Sequence, residues 1–266
     1  MKKRARSLNS WVNEIQRVGR YTFTREEAIR ELSLHTNTLE KSLQRATSQG
    51  RILRLRRGFY VIVPLEYAVV GAVPTEWFID DLMKFIGKSY YVGCLSAAAW
   101  YGASHQRVQE MQVVVPEHVR GIESRAVRIR FLRFAGMSEA LTTSRRTHTG
   151  DIPVSTAEWT AIDLIRFQKH YGSMDAAATV LIELAEGLNA DDLTAAAGRE
   201  RTNAYLQRLG WLLEFLGQDR LTRSLHSIVI NRNPSYTPLN ASLSNRSGRR
   251  DLRWRILVNE EPEADL

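Results

Sequence analysis

Between Leu8 and Pro64 the apolar residues change from spacings of three and four to strict alternation, which limits this segment to a few short helices followed by a hairpin. Leu8, Trp11, Val12, Ile15 and Val18 mark the buried stripe of a first helix that Gly19 ends. In TREE, Thr24 stands three residues before Glu27, the spacing of a capping box, and Ala28, Ile29 and Leu32 supply the apolar face of a short second helix. After SLHT, Asn37 and Glu40 repeat the capping arrangement. Leu39, Leu43 and Ala46 then form the inward stripe of a third helix ending near Gly50. RILRLR alternates, with Leu53 and Leu55 on a face that packs against the helices and Arg54 and Arg56 on the other. GFYVIVP returns after Arg57-Gly58, where glycine suits a turn of positive φ.

Charge is concentrated in the same segment. Residues 1–64 hold 14 Lys+Arg against 5 Asp+Glu, a net of +9, whereas the rest of the 266 residues hold 23 against 24, a net of −1. A compact basic unit on a nearly neutral body has the electrostatic footprint of a nucleic-acid module, because cationic side chains displace condensed counterions from phosphates.

A short helix, a tight turn and a third helix rich in small polar, amide and basic side chains read as a helix-turn-helix, and the hairpin that follows reads as its wing. The outward face of the third helix shows Thr36, Thr38, Lys41, Ser42, Gln44 and Arg45. Thr38, Gln44 and Arg45 are the expected readers of base edges, while Lys41 and the wing arginines Arg54, Arg56 and Arg57 are expected to neutralise phosphates or reach a minor groove.

From Pro64 to Pro74 two prolines and a glycine interrupt any helical repeat, so a connecting segment is expected there. The expected domains are residues 1–70, a winged helix-turn-helix, and 71–266, a larger mixed α/β domain, giving an α+β chain. In the body, TEWFIDDLMKFIG, TAEWTAIDLIRF, MDAAATVLIELAEGL and RTNAYLQRLGWLLEFLG read as helices, YYVGCLSAAAWYGA as a strand entering a helix, and MQVVVP, AVRIRFLRF and LRWRILVN as strands. NPSYTPLNASLSNRSGRR reads as a loop.

Catalytic signals are weak. The six histidines show no metal-ligand pair at helical spacing, and no serine sits in a nucleophile elbow. Glu76 and Asp80 share an expected helix face, which reads as solvated or ion-paired. GSMD, residues 172–175, has the glycine-serine start of a nucleotidyltransferase site but continues into alanines, so that match fails. Ser96, Trp100, His105 and Gln106 form the most unusual polar and aromatic set, with a core tryptophan and a buried histidine as the simpler reading. Cys94, the single cysteine, reads as a small buried hydrophobe, and no cofactor or metal is expected. With no long apolar run and no signal peptide, the chain is expected in the cytoplasm and away from membranes.

The succession LEKSLQRATSQGRILRLRRGFYVIVP, PTEWFIDDLMK, YYVGCLSAAAWYGASHQRVQEMQVVV and VSTAEWTAIDLI resembles the AbiEi-type antitoxins, transcriptional regulators of bacterial type IV toxin-antitoxin systems, over roughly residues 20–170. The resemblance implies an N-terminal winged helix that represses its own operon, and a C-terminal antitoxin domain that counteracts a nucleotidyltransferase-type toxin without a stable complex. It offers no single residue for neutralisation. The partners expected are therefore double-stranded promoter DNA, read at an inverted repeat by a dimer or a cooperative pair, and that toxin. The alternative is an enzyme, a nuclease or nucleotidyltransferase directed to nucleic acid by the winged helix. A third reading is an adaptor that contacts RNA through the basic domain.

Overall fold

In the computed structural model, which describes residues 7–103, 110–170, 174–243 and 248–262, the first apolar stripe forms helix α1 (Leu8–Arg17), capped by the Ser7 hydroxyl. Leu8, Trp11, Val12 and Ile15 are buried, but Val18 is the C-cap and 74% exposed, so the helix stops short of the last residue of the expected stripe. Next come strand β1 (Thr22–Thr24), α2 (Arg25–Leu32), α3 (Thr36–Ser48), β2 (Ile52–Arg56), β3 (Phe59–Ile62) and α4 (Ile79–Ile86).

One of the two capping arrangements forms, and only in part. The Thr24 hydroxyl accepts the Glu27 amide at 3.1 Å. The Glu27 carboxylate turns to Arg20, whose two terminal nitrogens it binds at 2.8 and 3.0 Å. At α3 the N-cap is His35, without a side-chain cap, and Asn37 lies inside the first turn, contrary to the sequence expectation. Ser33, at φ +48, ends α2 abruptly, so α3 starts before Asn37 can act as its cap. Glu40 is committed to Arg25 at 2.5 Å instead.

The three strands pair in the order β1-β3-β2, both pairings antiparallel. Ile52, Tyr60 and Ile62 face the helices and join Trp11, Phe23, Leu39 and Leu43 in one apolar cluster. Leu53 pairs with the fully buried Val61, and both lie on the opposite face by strand alternation. The expected facing of Leu53 and Leu55 is thereby corrected: Ile52 supplies the helix contact, and Leu55 sits half-buried at a bulge between Arg54 and Arg56. The second face is covered too, since Phe85 of α4 packs on Phe59 with ring centroids 5.3 Å apart. A compact unit therefore runs through Met1–Tyr90, joined by Arg120–Arg130 and Ser144–Ile152, and reaches past residue 70.

The second unit comprises Tyr91–Val119, Phe131–Thr143 and Pro153–Leu266. Elements following α4 are β4 (Tyr91–Val92), α5 (Cys94–Trp100), β5 (Met111–Val115), β6 (Ile122–Glu123), β7 (Arg128–Arg133), β8 (Thr142–Arg146), β9 (Asp151–Ser155), α6 (Ala157–Arg166), α7 (Met174–Gly187), α8 (Ala190–Arg199), α9 (Asn203–Phe215), α10 (Asp219–Asn231), β10 (Thr237–Pro238), β11 (Arg249–Asp251) and β12 (Ile256–Val258). β7, β5, β4 and β9 lie side by side in that order, β4 being antiparallel to β5 and parallel to β9. The expected C-terminal loop contains β10 and β11, which flank β12 in a small sheet. No described helix is long and apolar enough to cross a membrane.

Helix α6 is buried on every side from Glu158 to Arg166. Its Arg166 guanidinium pairs with both Asp163 and Glu200 and lies 3.9 Å from the Phe134 ring centroid. Tyr91 donates its hydroxyl to Asp163 at 2.9 Å and accepts the Trp159 indole N–H at 3.2 Å. One cation facing two buried carboxylates leaves an excess negative charge, and burial pushes the Asp163 carboxyl up to about 6, against the pull of Arg166 and the Tyr91 hydrogen bond. Farther along, α9 holds the C-terminal segment: Gln207 donates to the carbonyls of Ser235, Trp254 and Arg255, and Glu214 accepts the Trp254 indole N–H at 2.7 Å.

Two outcomes follow. A Cβ on Gly210 would stand 2.1 Å from the Trp254 ring. Gly210→Ala, a change that favours an exposed helix by about 1 kcal/mol, should instead destabilise the protein by about 1–3 kcal/mol through overpacking, measured by chemical unfolding. Asp163 keeps its proton to about pH 6 when folded, against an ordinary 3.8. Its contribution is fully present below the unfolded value and lost as pH rises through the folded one. Wild-type stability measured relative to Asp163→Asn should therefore fall by about 3 kcal/mol between roughly pH 4 and 6; a difference independent of pH would contradict the assignment.

Candidate nucleic-acid interface

The apolar stripe Leu39, Leu43 and Ala46 anchors α3 in the core and fixes which residues face outward. Thr36, Thr38, Lys41, Gln44 and Arg45 are all exposed. Ser42 is half-buried and donates its hydroxyl to the Thr38 carbonyl at 2.9 Å, so its remaining capacity is as an acceptor. Asn37, read from the sequence as a cap, is exposed in the first turn, where its amide is placed like the other polar groups of this face. The signal that could have found it is its position four residues before Lys41, one turn away on a shared face. α2 and α3 are joined by three residues, Ser33 to His35, and the Arg25–Glu40 ion pair spans the two helices.

The wing brings its three arginines to different environments. Arg54 is exposed on β2, and Arg57 is exposed beside Gly58, whose φ of +88° forms the turn. Arg56 is half-buried and donates to the Arg120 carbonyl, with desolvation first and the nearby Arg120 charge second lowering its pKa. The wing base is tied down separately, Arg51 donating to the Asn13 side-chain carbonyl at 2.7 Å. The polar face of α3 and the exposed guanidinium groups of Arg54 and Arg57 together carry the chemistry needed to bind a duplex: donors and acceptors for base edges, and solvent-facing cations for phosphates.

In the second unit, the set centred on Ser96 and Trp100 is placed differently from the simpler reading. Ser96 Oγ accepts the Gln112 amide at 2.9 Å, but Trp100 is 38% exposed rather than in the core. His105 and Gln106 lie outside the described residues. Cys94 is fully buried, as expected. Asp80 pairs with Lys84 at 2.6 Å and accepts the Tyr90 hydroxyl, as an ion-paired group would, but Glu76 lies in a 3-10 turn before α4 and does not share that helix with it. Among the described residues no three His, Cys, Asp or Glu side chains converge as a metal site.

Comparison with known proteins places both parts of the chain. The family described as "Transcriptional regulator, AbiEi antitoxin" matches residues 12–63, and "AbiEi antitoxin C-terminal domain" matches residues 91–215. No protein of curated function matches significantly in sequence. Among solved structures, the RV2827C protein of Mycobacterium tuberculosis superposes with a TM-score of 0.65 at 12% identity, over 95% of this chain and 92% of that one, a likeness of fold. A nucleotidyltransferase-like antigenic protein of Paracoccidioides brasiliensis aligns over 57% of this chain and 88% of its own, at 13% identity and a TM-score of 0.32, too low to bear on the fold.

The arrangement separates the arginines experimentally. Replacing Arg54 and Arg57 by alanine should flatten the dependence of log affinity on log salt for any duplex by about two units, one for each phosphate no longer neutralised. Arg56→Ala should change that slope less and instead lower stability by about 1 kcal/mol, through removal of its carbonyl hydrogen bond. Titrations at four or more salt concentrations, paired with thermal melts, check both, and an unchanged slope in the double variant would remove the wing from the interface.

Proposed function

The chain belongs to the AbiEi-type antitoxin family, and from this we propose that it is a non-enzymatic antitoxin and autorepressor, acting in the cytoplasm, that binds inverted repeats in its own promoter and counteracts a nucleotidyltransferase-type toxin. The observation that carries the DNA-binding reading is the α3 surface: Thr38, Lys41, Gln44 and Arg45 exposed on a helix whose other stripe is fully buried. Gln44 and Arg45 carry the planar amide and guanidinium groups suited to paired hydrogen bonds with adenine and guanine edges, with Thr36, Thr38 and Asn37 as shorter-range partners. Lys41, Arg54 and Arg57 supply the sequence-independent phosphate contacts, and two copies on a symmetric operator would double each set. Counteraction of the toxin is assigned to the C-terminal part, on the match of residues 91–215 to the antitoxin C-terminal domain; in this reading it proceeds without a stable complex.

The two activities should separate in the full-length protein. Gln44→Ala with Arg45→Ala should cost about 1–3 kcal/mol per base contact on the operator, with a smaller effect on unrelated DNA, while growth under induced toxin stays rescued. A promoter reporter and a toxin-rescue assay, run on the same variant, read the two effects. Unchanged operator preference would remove α3 as the reader; failure of wild type and variant alike to rescue would remove the antitoxin role.

A further inference from the structure

The second unit contains a cleft of about 750 Å³, within the range of small-molecule sites, which neither the DNA-binding surface nor the family match explains. Its lining joins segments far apart in sequence: His118, the end of β7 with Arg133 and Phe134, the end of α6 with Arg166, the following turn with Lys169, and the start of α9 with Thr202 and Tyr205. Two features of this lining point to a ligand class. Among its described residues there is no Asp or Glu, whereas Arg133 and Lys169 are exposed cations, so the cleft favours an anion. Its walls also carry four aromatic side chains, including Phe134 and Tyr205, which offer faces and edges to a flat ring.

Arg166 organises the floor. Its guanidinium, held by Asp163 and Glu200, lies 3.9 Å from the Phe134 centroid and 5.7 Å from that of Tyr205, and its buried Nε has no hydrogen-bond partner. A buried donor without a partner is costly, and one in the lining of a polar cleft is a group a ligand can satisfy. Thr202 caps α9 without a side-chain cap bond, so the positive end of that helix also borders the cleft.

From this we propose that the cleft binds a phosphorylated nucleoside, its base against the aromatic walls and its phosphates toward Arg133 and Lys169. A simple anion would leave the rings unused, and a neutral aromatic would leave the cations unused. A nucleotide matches both in one molecule.

The test is equilibrium binding of ATP and GTP to the full chain at low salt, with adenosine, inorganic phosphate, a 5′-phosphorylated oligoribonucleotide and a glutamate-rich peptide as competitors. ATP or GTP should bind at least tenfold more tightly than adenosine or phosphate. Arg133→Ala with Lys169→Ala should weaken binding tenfold or more with an unchanged circular dichroism spectrum, and Tyr205→Ala should weaken ATP and adenosine alike. Lys41→Ala with Arg54→Ala, on the DNA-binding surface, should leave nucleotide affinity unchanged. Competition by the oligoribonucleotide through the same cleft residues would identify a nucleic-acid end as the source of the same chemistry. Absence of nucleotide binding, binding indifferent to Arg133 and Lys169, or equal displacement by the acidic peptide would each overturn the proposal.

Discussion

The Arg166 guanidinium ties three separate segments of the second unit together. It sits on the fully buried α6, reaches back one turn to Asp163 and across to Glu200 beyond α8, and rests on Phe134. A buried ion pair of this kind adds little net stability compared with a well-packed apolar substitute, because desolvation offsets most of the Coulomb attraction. Its effect is on specificity: removing one partner strands a charge, at a cost of about 3–5 kcal/mol, so alternative placements of α6 against α8 are penalised. The raised pKa of Asp163 belongs to the same arrangement, since burial disfavours its charged form and the neighbouring Glu200 adds to that effect, while Arg166 only partly offsets it.

The first unit solves a different problem, that of a three-stranded sheet with apolar residues on both faces. Ile52, Tyr60 and Ile62 need the helices, while Val61 and Phe59 need a cover on the other side, to which Phe85 contributes. The wing is thus rigid at its root, and its exposed charge is confined to Arg54 and Arg57 near the turn. Arg51 and Arg56 fasten the hairpin at its base and at its bulge, leaving two to meet solvent or a phosphate.

Helices with a single buried stripe were legible in the sequence, since period alone places Leu39, Leu43 and Ala46 inward and Lys41, Gln44 and Arg45 outward. Strand facing was harder: Leu53 and Ile52 are both apolar neighbours, and only the partner strand and the bulge decide which one meets the helices. α8 escaped because alanines blunt its stripe, although Asn189 caps it by accepting the amides of Asp191 and Asp192, whereas α10 carries a clear stripe in Leu221, Leu225 and Val229 that the sequence reading passes over. β10 and β11 are too short for any alternation to show, and they form because β12 stands between them.

The same contrast governs the two candidate sites. The proposed DNA-binding surface is built from residues close in sequence on one helix and one hairpin, so charge and period together expose it. The cleft draws His118, Arg133, Arg166 and Tyr205 from four separate stretches, each unremarkable alone, and its electrostatic character exists only once they converge. Local net charge even conceals it: the body is nearly neutral in total, yet at the cleft the single excess negative charge of Arg166 with Asp163 and Glu200 is buried and is outweighed by the exposed Arg133 and Lys169. Averaged charge over a domain therefore constrains a long-range partner such as DNA, but a small ligand responds to the few side chains that touch it, and only the fold determines which those are.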